Sequence, residues 1–266
     1  MSDPIRLFVG TDGTNCDLES QIVLEYSLRK HHPRGVDVEI VWMQQAASGP
    51  YAGWRCATGR TPFSHFRWSL PAMCGYAGKA IYTDSDFIFM ADIEELWNQD
   101  VPGVFLSKQP KKHLGKTCCL LFDCAHAKGH VPDLAILRSL PEPQGAMTKY
   151  FKERPALSSG FSGNWNAIDG DGLALDDPRL KALHYSRMEH QPHLKYAIPR
   201  LKAEGRSHWY TGPVFAHPRP DVQALFDRLY AEALSAGYTL DQYRVDAFAG
   251  ATRRAFTYKQ HQGLPA

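Results

Sequence analysis

Ile5-Arg6-Leu7-Phe8-Val9-Gly10-Thr11-Asp12-Gly13-Thr14-Asn15-Cys16-Asp17 is an apolar run that ends in glycine and breaks into a cluster of turn formers. Residues 5–10 read as a buried strand, because a short unbroken apolar run bounded by turn residues suits one. Residues 11–17 supply the turn, and Asp17 is placed to cap the helix that follows. That helix covers about 18–30. Leu18, Ile22 and Tyr26 recur at i, i+4 and i+8, and Leu24 with Leu28 widens the stripe. Lys30, His31 and His32 suit a helix C-terminus, and Pro33 with Gly35 stops it. Residues 36–43 (VDVEIVWM) alternate and then turn wholly apolar, which predicts a second strand. Strand, helix and strand make a βαβ unit. The fold class is therefore α/β, with a sheet parallel at its core and a right-handed crossover.

Outward from this unit, residues 44–62 show no periodicity, and a loop of that length is often functional. Phe63, Phe66, Leu70 and Met73 share a face of a helix predicted over 63–75. Strands are predicted at 79–83, 87–90, 104–106 and 118–122, with a short acidic-headed helix at 92–97. From 126 to 172, Pro132, Pro141, Pro143 and Pro155 predict irregular structure and short helices. Val222, Leu225, Phe226, Leu229, Tyr230 and Ala233 then form a clean helical stripe, with Asp221 as cap and Gly237 as stop. A second short helix is predicted at 240–249. No internal repeat or linker divides residues 1–266, so one domain is expected.

The chain has 266 residues, of which 44% are hydrophobic and 22% charged, which excludes disorder, collagen and coiled coil as overall descriptions. Thirty Lys and Arg against 28 Asp and Glu leave +2, so there is no electrostatic case for a nucleic-acid partner. No apolar stretch approaches the roughly 18 residues of a membrane span, and residues 1–10 do not read as a signal peptide. The cysteines Cys16, Cys56, Cys74, Cys118, Cys119 and Cys124 form no C-x-x-C pair, which argues against zinc and for free thiols in a reducing cytosol.

Four places carry chemistry. Asp84-Ser85-Asp86 follows an apolar strand, and ligands in open parallel sheets bind beyond the carboxyl ends of strands. Two acids there repel each other unless a cation intervenes; Mn²⁺ or Mg²⁺ would also hold a diphosphate. A solvated acidic turn is the plain alternative. Thr11, Asp12 and Asn15 end the first strand and suit contacts to a base or ribose, or equally an Asx turn. Ser64 and Arg67 lie on the predicted helix, where the arginine would reach a phosphate or simply face solvent. His184 alternates with Leu183 and is either a core histidine or a third metal ligand.

In this order, GTDGTN at 10–15, TPFSHFRWSLP at 61–71, Ile81 to Ile88 and His184-Tyr185-Ser186 resemble the GT-A nucleotide-sugar glycosyltransferases, nearest to the family 8 retaining enzymes. The resemblance spans roughly residues 5–195. It implies a GT-A-type domain with a mixed, mostly parallel central sheet flanked by helices. A Rossmann-like nucleotide-sugar half would occupy about 1–125, and an acceptor half with C-terminal helices about 126–266. It implies a UDP-sugar donor and Mn²⁺ (or Mg²⁺), with Asp84, Asp86 and His184 on the metal. Thr11, Asp12 and Asn15 would contact uracil or ribose, Ser64, Arg67 and Ser85 the donor, and Lys79 the ribose or donor sugar. The family's H-x-x-G-x-x-K-P-W departs here to HYSRMEHQPH, leaving His190 and Lys195 as the cations nearest the missing lysine. Its Asp-Gln-Asp motif has no clear copy, and Asp169 and Asp171 are the nearest catalytic carboxylates.

The activity implied is transfer of a sugar to a hydroxyl of a glycan, lipid-linked or protein acceptor, with retention. Tyr51, Trp54, Arg55 and Trp165 read as sugar-stacking lids or as packing. Arg253, Arg254, Lys259 and His261 with Phe256 and Tyr258 suggest a weak contact to an anionic membrane surface. The expected location is the cytoplasm or the periphery of the inner membrane. Two other functions compete. One is a nucleotide-sugar or glycan-binding module without turnover. The other is a haloacid-dehalogenase-like phosphatase, which Asp12-Gly13-Thr14 suggests but which wants a second acid where Gly10 or Thr14 stands.

Overall fold

The computed structural model describes residues 4–32, 36–54, 61–108 and 116–246. β1 (Ile5–Gly10), α1 (Leu18–His31) and β2 (Val38–Met43) form the predicted unit, with β1 and β2 parallel and Ile5 opposite Val38. A 3₁₀ turn (Phe66–Ser69) leads into the short α2 (Leu70–Met73). Next come β3 (Lys79–Asp84), β4 (Phe87–Phe89), α3 (Glu94–Trp97), β5 (Phe105–Ser107) and β6 (Cys119–Asp123). α4 (Leu134–Ser139), α5 (Pro143–Lys152), β7 (Ser158–Gly160), β8 (Ala167–Ile168) and β9 (Ala182–His184) follow. α6 (Leu194–Ala203) and α7 (Pro220–Ser235) complete the regular elements.

The central sheet runs β2-β1-β3-β6-β5-β7, and a small second sheet runs β4-β9-β8. Three of the five central pairings are parallel, so the sheet is mixed as expected. Side chains on a strand alternate between faces, and both faces are buried here. Phe8, Tyr82 and Phe122 point into one apolar cluster, while Leu7, Ile81 and Leu121 point into the other. This explains why the strands read as unbroken apolar runs. On a third cluster, Leu18 and Ile22 of α1 meet Leu225, Phe226 and Leu229 of α7.

Several local readings are corrected. The helix predicted at 63–75 is split, because the chain turns through 3₁₀ geometry before Pro71 starts a single α turn. Asp17 occupies the N-cap position of α1 without capping it, since its carboxylate is drawn to other partners. Arg219, not Asp221, occupies the N-cap position of α7, and its side chain does not cap the helix. Of the two readings of Tyr51 and Trp54, packing holds: both are 4% exposed, Tyr51 stacks on Trp54 and on Phe66, and Trp54 is tilted against Phe66. Trp165 is likewise buried, donating to Ser162 O. The last helix shortens to a 3₁₀ turn, Leu240–Tyr243. Arg55 and the basic tail (Arg253, Arg254, Phe256, Tyr258, Lys259 and His261) lie outside the described residues.

Candidate metal and donor site

β1 and β3 are neighbours, so their carboxyl ends meet. Ser85 N donates to Gly10 O at 2.9 Å, tying the acidic loop to the end of β1. A glycine is needed at position 10, because a Cβ there would lie 2.1 Å from Tyr82 Oη. That hydroxyl donates to Asp84 Oδ1 at 2.6 Å. Arg67 lies beneath the same carboxylate. Its Nη2 donates to Asp84 Oδ1 at 2.9 Å and Oδ2 at 3.2 Å. Its remaining N–H groups go to Ser64 O and to Thr117 O and Oγ1, which matches the five donors of a guanidinium. Burial pushes the Asp84 carboxyl up, Arg67 pulls it back, and the charge on Asp86 adds to the rise. Arg67 is therefore a buried counter-ion of Asp84 rather than a free hand for a donor.

Asp86 is held on one side only. Gln191 Nε2 donates to Oδ2 at 2.8 Å, while Oδ1 is buried without a hydrogen-bond partner. His184 Nε2 stands 3.4 Å from that Oδ1. The second sheet brings them together, with Phe87 opposite His184 in the β4–β9 pair and its ring stacked on the imidazole at 4.5 Å. His184 Nδ1 lies 2.8 Å from Asn166 Oδ1. Asn166 Nδ2 donates to Lys116 O at 3.2 Å, which fixes the amide so that Oδ1 faces the ring. The proton then sits on Nδ1, and Nε2 presents a lone pair toward an orphaned carboxylate oxygen. Two acceptors that face each other in a buried site suit a cation between them.

Among the described residues, three groups bring three ligand atoms within 4.8 Å of one another. In the group of His32, Asp92 and Glu94, His32 Nδ1 meets Asp92 Oδ1 at 2.6 Å and Nε2 meets Val36 O at 2.7 Å. Both ring nitrogens face acceptors, so both carry protons and neither has a lone pair for a metal. In the group of Asp17, His193 and His208, the Tyr210 N–H points at His208 Nδ1 at 2.9 Å, which leaves the proton on Nε2 facing Asp17. Burial raises the Asp17 carboxyl, yet the imidazoles of His193 and His208 outweigh it and hold it below the usual carboxylate range. The third group, Asp84, Cys118 and His184, keeps an imidazole lone pair. With Asp86 beside it, this is the arrangement that fits a divalent ion.

No protein-family model matches the sequence. Protein CDI of Arabidopsis thaliana is 26% identical over 208 residues, covering 69% of this chain and 78% of that protein. The apo structure of the bifunctional glycosyltransferase WbbM matches 92% of the chain with a TM-score of 0.57 at 12% identity. This chain spans only about half of that protein, 52%. The galactosyltransferase LgtC, solved in complex with donor and acceptor sugar analogs, matches 86% of the chain and 96% of its own length, again with a TM-score of 0.57 and 12% identity. The fold is that of the GT-A glycosyltransferases.

Within the GT-A fold the remaining expected residues separate. Asp12 is buried, and its carboxylate collects the N–H groups of Thr14, Cys16 and Asp17, so it braces the loop after β1. Burial pushes it up to about 6, with Asp17 adding to the rise. That commitment also removes it as an exposed phosphatase nucleophile. Asn15, at φ 58, pairs with Val245 through both amide atoms, donating to Val245 O at 2.8 Å and accepting from Val245 N at 2.9 Å. Ala47 N adds a bond to Asp246 O at 2.7 Å. Thr11 Oγ1 is buried and unpartnered beside this loop. Ser64 caps its own turn through Thr61. Lys79 is not brought to the site. It starts β3 while Asp84 ends it, about 16 Å away at strand rise, and its Nζ donates to Trp97 O and Gln99 O. Lys195 is paired with Asp227 of α7 at 2.7 Å. His190 is bound to Ala216 O through Nδ1.

Asp169 and Asp171 follow β8, whose Ile168 is opposite His184 in the β8–β9 pair. Asp171 Oδ2 accepts from Lys108 Nζ and from Asn164 Nδ2, so it is tied down. Asp169 is not: its Oδ1 has no hydrogen-bond partner, and Arg187 Nε is 3.9 Å from Oδ2. The sequence assigns no role to Asn166, Gln191, Tyr82 or Arg187, although Gln191 lies in HYSRMEHQPH and Asn166 three residues before Asp169, the two places where the chain departs from the family pattern.

Proposed function

We propose that this chain moves a sugar from a UDP-sugar to an acceptor hydroxyl with retention, using Mn²⁺ (or Mg²⁺) at Asp84, Asp86 and His184. The observation that carries the reading is the unpaired, buried Asp86 Oδ1 facing the lone pair of His184 Nε2. When bound, the metal would supply Lewis-acid stabilisation of the leaving diphosphate. Around it, Asn166 keeps the His184 proton on Nδ1, Phe87 holds the ring plane, and Gln191 aims Asp86. Arg67 opposes the rise that burial imposes on the Asp84 carboxyl. Asp169, the less committed of the two carboxylates after β8, would face the positive charge that develops on the sugar ring. The acceptor is a glycan, lipid or protein hydroxyl.

The firm tie of Asp84 to Arg67 and Tyr82 favours a second reading, a nucleotide-sugar binder without turnover. Both readings are tested by titrating UDP calorimetrically with Mn²⁺ and with EDTA, against wild type and Asp86→Ala. Metal-dependent binding that is lost in the variant supports the site. Release of UDP from one of a panel of UDP-sugars then separates transferase from binder. Absence of UDP binding in both conditions overturns the donor assignment.

A further inference from the structure

Residues 204–219 form an irregular strap between α6 and α7, and it carries two histidines built alike. His208 Nδ1 accepts from Tyr210 N at 2.9 Å, and His217 Nδ1 lies 3.0 Å from Arg219 N and 3.1 Å from Arg219 O. The hydrogen of a backbone amide is fixed, and a second hydrogen on the ring nitrogen would collide with it, so each Nδ1 is an acceptor, the nearby carbonyl notwithstanding, and each Nε2 carries the proton. His208 donates that proton to Asp17 Oδ1 at 3.0 Å. His217 points its own at Asp169 Oδ1 from 3.5 Å. The His217 side chain is fully buried, and both facing atoms, Nε2 and Oδ1, lack a hydrogen-bond partner. The first histidine thus holds its aspartate, whereas the second stands just short of contact.

Asp169 is also set up by its backbone. It sits at φ 46, in the left-handed region, and Arg219 Nη1 spans Asp169 O at 3.4 Å and Leu173 O at 2.7 Å. The strap is pinned beside the site as well, with Phe215 N donating to Glu189 O at 2.7 Å and Ala216 O bound to His190.

We propose that His217 is a positioning residue that aims the Asp169 carboxylate at the reacting carbon of the donor sugar. The inference rests on the sugar-transfer reading above. The 3.5 Å gap closes to a hydrogen bond when the sugar fills the site, as catalytic hydrogen bonds that are long in a free enzyme tighten in the substrate complex. Because Nδ1 is held by Arg219 N–H, the ring offers a donor and not a base on the Asp169 side. The ring therefore orients the Asp169 carboxylate and takes no part as a base.

The test uses the full chain and the UDP-sugar that wild type turns over, reading UDP release. His217→Phe keeps the bulk and removes the donor, so kcat should fall by up to about 100-fold while the donor KM and UDP affinity stay within twofold. His217→Gln, which restores an N–H, should recover most of the rate. In an Asp169→Asn background His217→Phe should change little further. Should His217→Phe fail to fold, His217→Asn, too short to reach Asp169, takes its place with the same expected loss. An unchanged kcat, a loss confined to UDP affinity, or full additivity with Asp169→Asn overturns the proposal. Wild type that binds UDP but releases none from any UDP-sugar overturns the transferase reading and this inference together. Turnover that ignores His217 overturns the inference alone.

Discussion

Asn166 Oδ1 and His184 Nδ1, 2.8 Å apart, decide which face of the imidazole meets Asp86. Neither residue lies in the acidic loop, yet their bond sets the ligand character of the loop's neighbour.

Asn166→Ala should therefore weaken Mn²⁺-dependent UDP binding by about 10- to 100-fold, the usual effect of removing the partner that orients a metal-ligating histidine. Asn166→Asp still accepts from Nδ1 and should lose less. Calorimetric titration of Mn²⁺ with saturating UDP checks both.

Arg67 and Asp84 have side chains 4% and 8% exposed, so neither charge is shared with water. Arg67→Met leaves Asp84 uncompensated and should destabilise the protein by about 3–5 kcal/mol. Adding Asp84→Asn to Arg67→Met should return part of that loss. Urea unfolding of the single and double variants measures the coupling.

The pH dependence tied to Asp12 has a definite sign. Its carboxyl is pushed up from 3.8 to about 6 by burial, so the folded state holds the proton more tightly than the unfolded one. Its favourable contribution is complete below pH 4 and is lost as pH rises through about 6. Relative to Asp12→Asn, wild type should lose roughly 3 kcal/mol across that window, at about 1.4 kcal/mol per unit. Denaturant midpoints for both proteins from pH 3.5 to 7 test it, and a flat difference would refute it.

Gly10→Ala places a methyl group where Tyr82 Oη stands. The ring or the strand must move, at about 1–3 kcal/mol for an overpacked core, and the Tyr82–Asp84 bond breaks. Tyr82→Phe loses the bond without the clash. Comparing their melting temperatures and UDP affinities separates the two effects.

The first βαβ unit was legible because both faces of the sheet are buried, which makes IRLFVG and VEIVWM unmistakable apolar runs. Asp84 and Asp86 were legible as acids at a strand end, and His184 only through the order of the motifs. The resemblance assigns Lys79 to the donor, whereas the structure sets it at the opposite end of β3 from Asp84. Arg67 looked like one cation on a helix face. Nothing local announces that Asp84 and Thr117 close around it. Pro199 hid α6 by interrupting its pattern. The partnerships of Asn166 with His184 and of His217 with Asp169 join segments that only the folded chain brings together.

The pairing of Asn15 with Val245 closes a span of 230 residues. On a ribosome adding roughly 5–20 residues per second, the loop after β1 waits about 10–50 s for its partner to be made. The earliest-synthesised edge of the candidate site is thus among the last to be secured. A nascent chain halted before Val245 carries β1, β3 and His184 but leaves both amide atoms of Asn15 without these bonds. Completion of the site is a late, long-range event in the life of the chain, with the slow loop closure that such a separation brings.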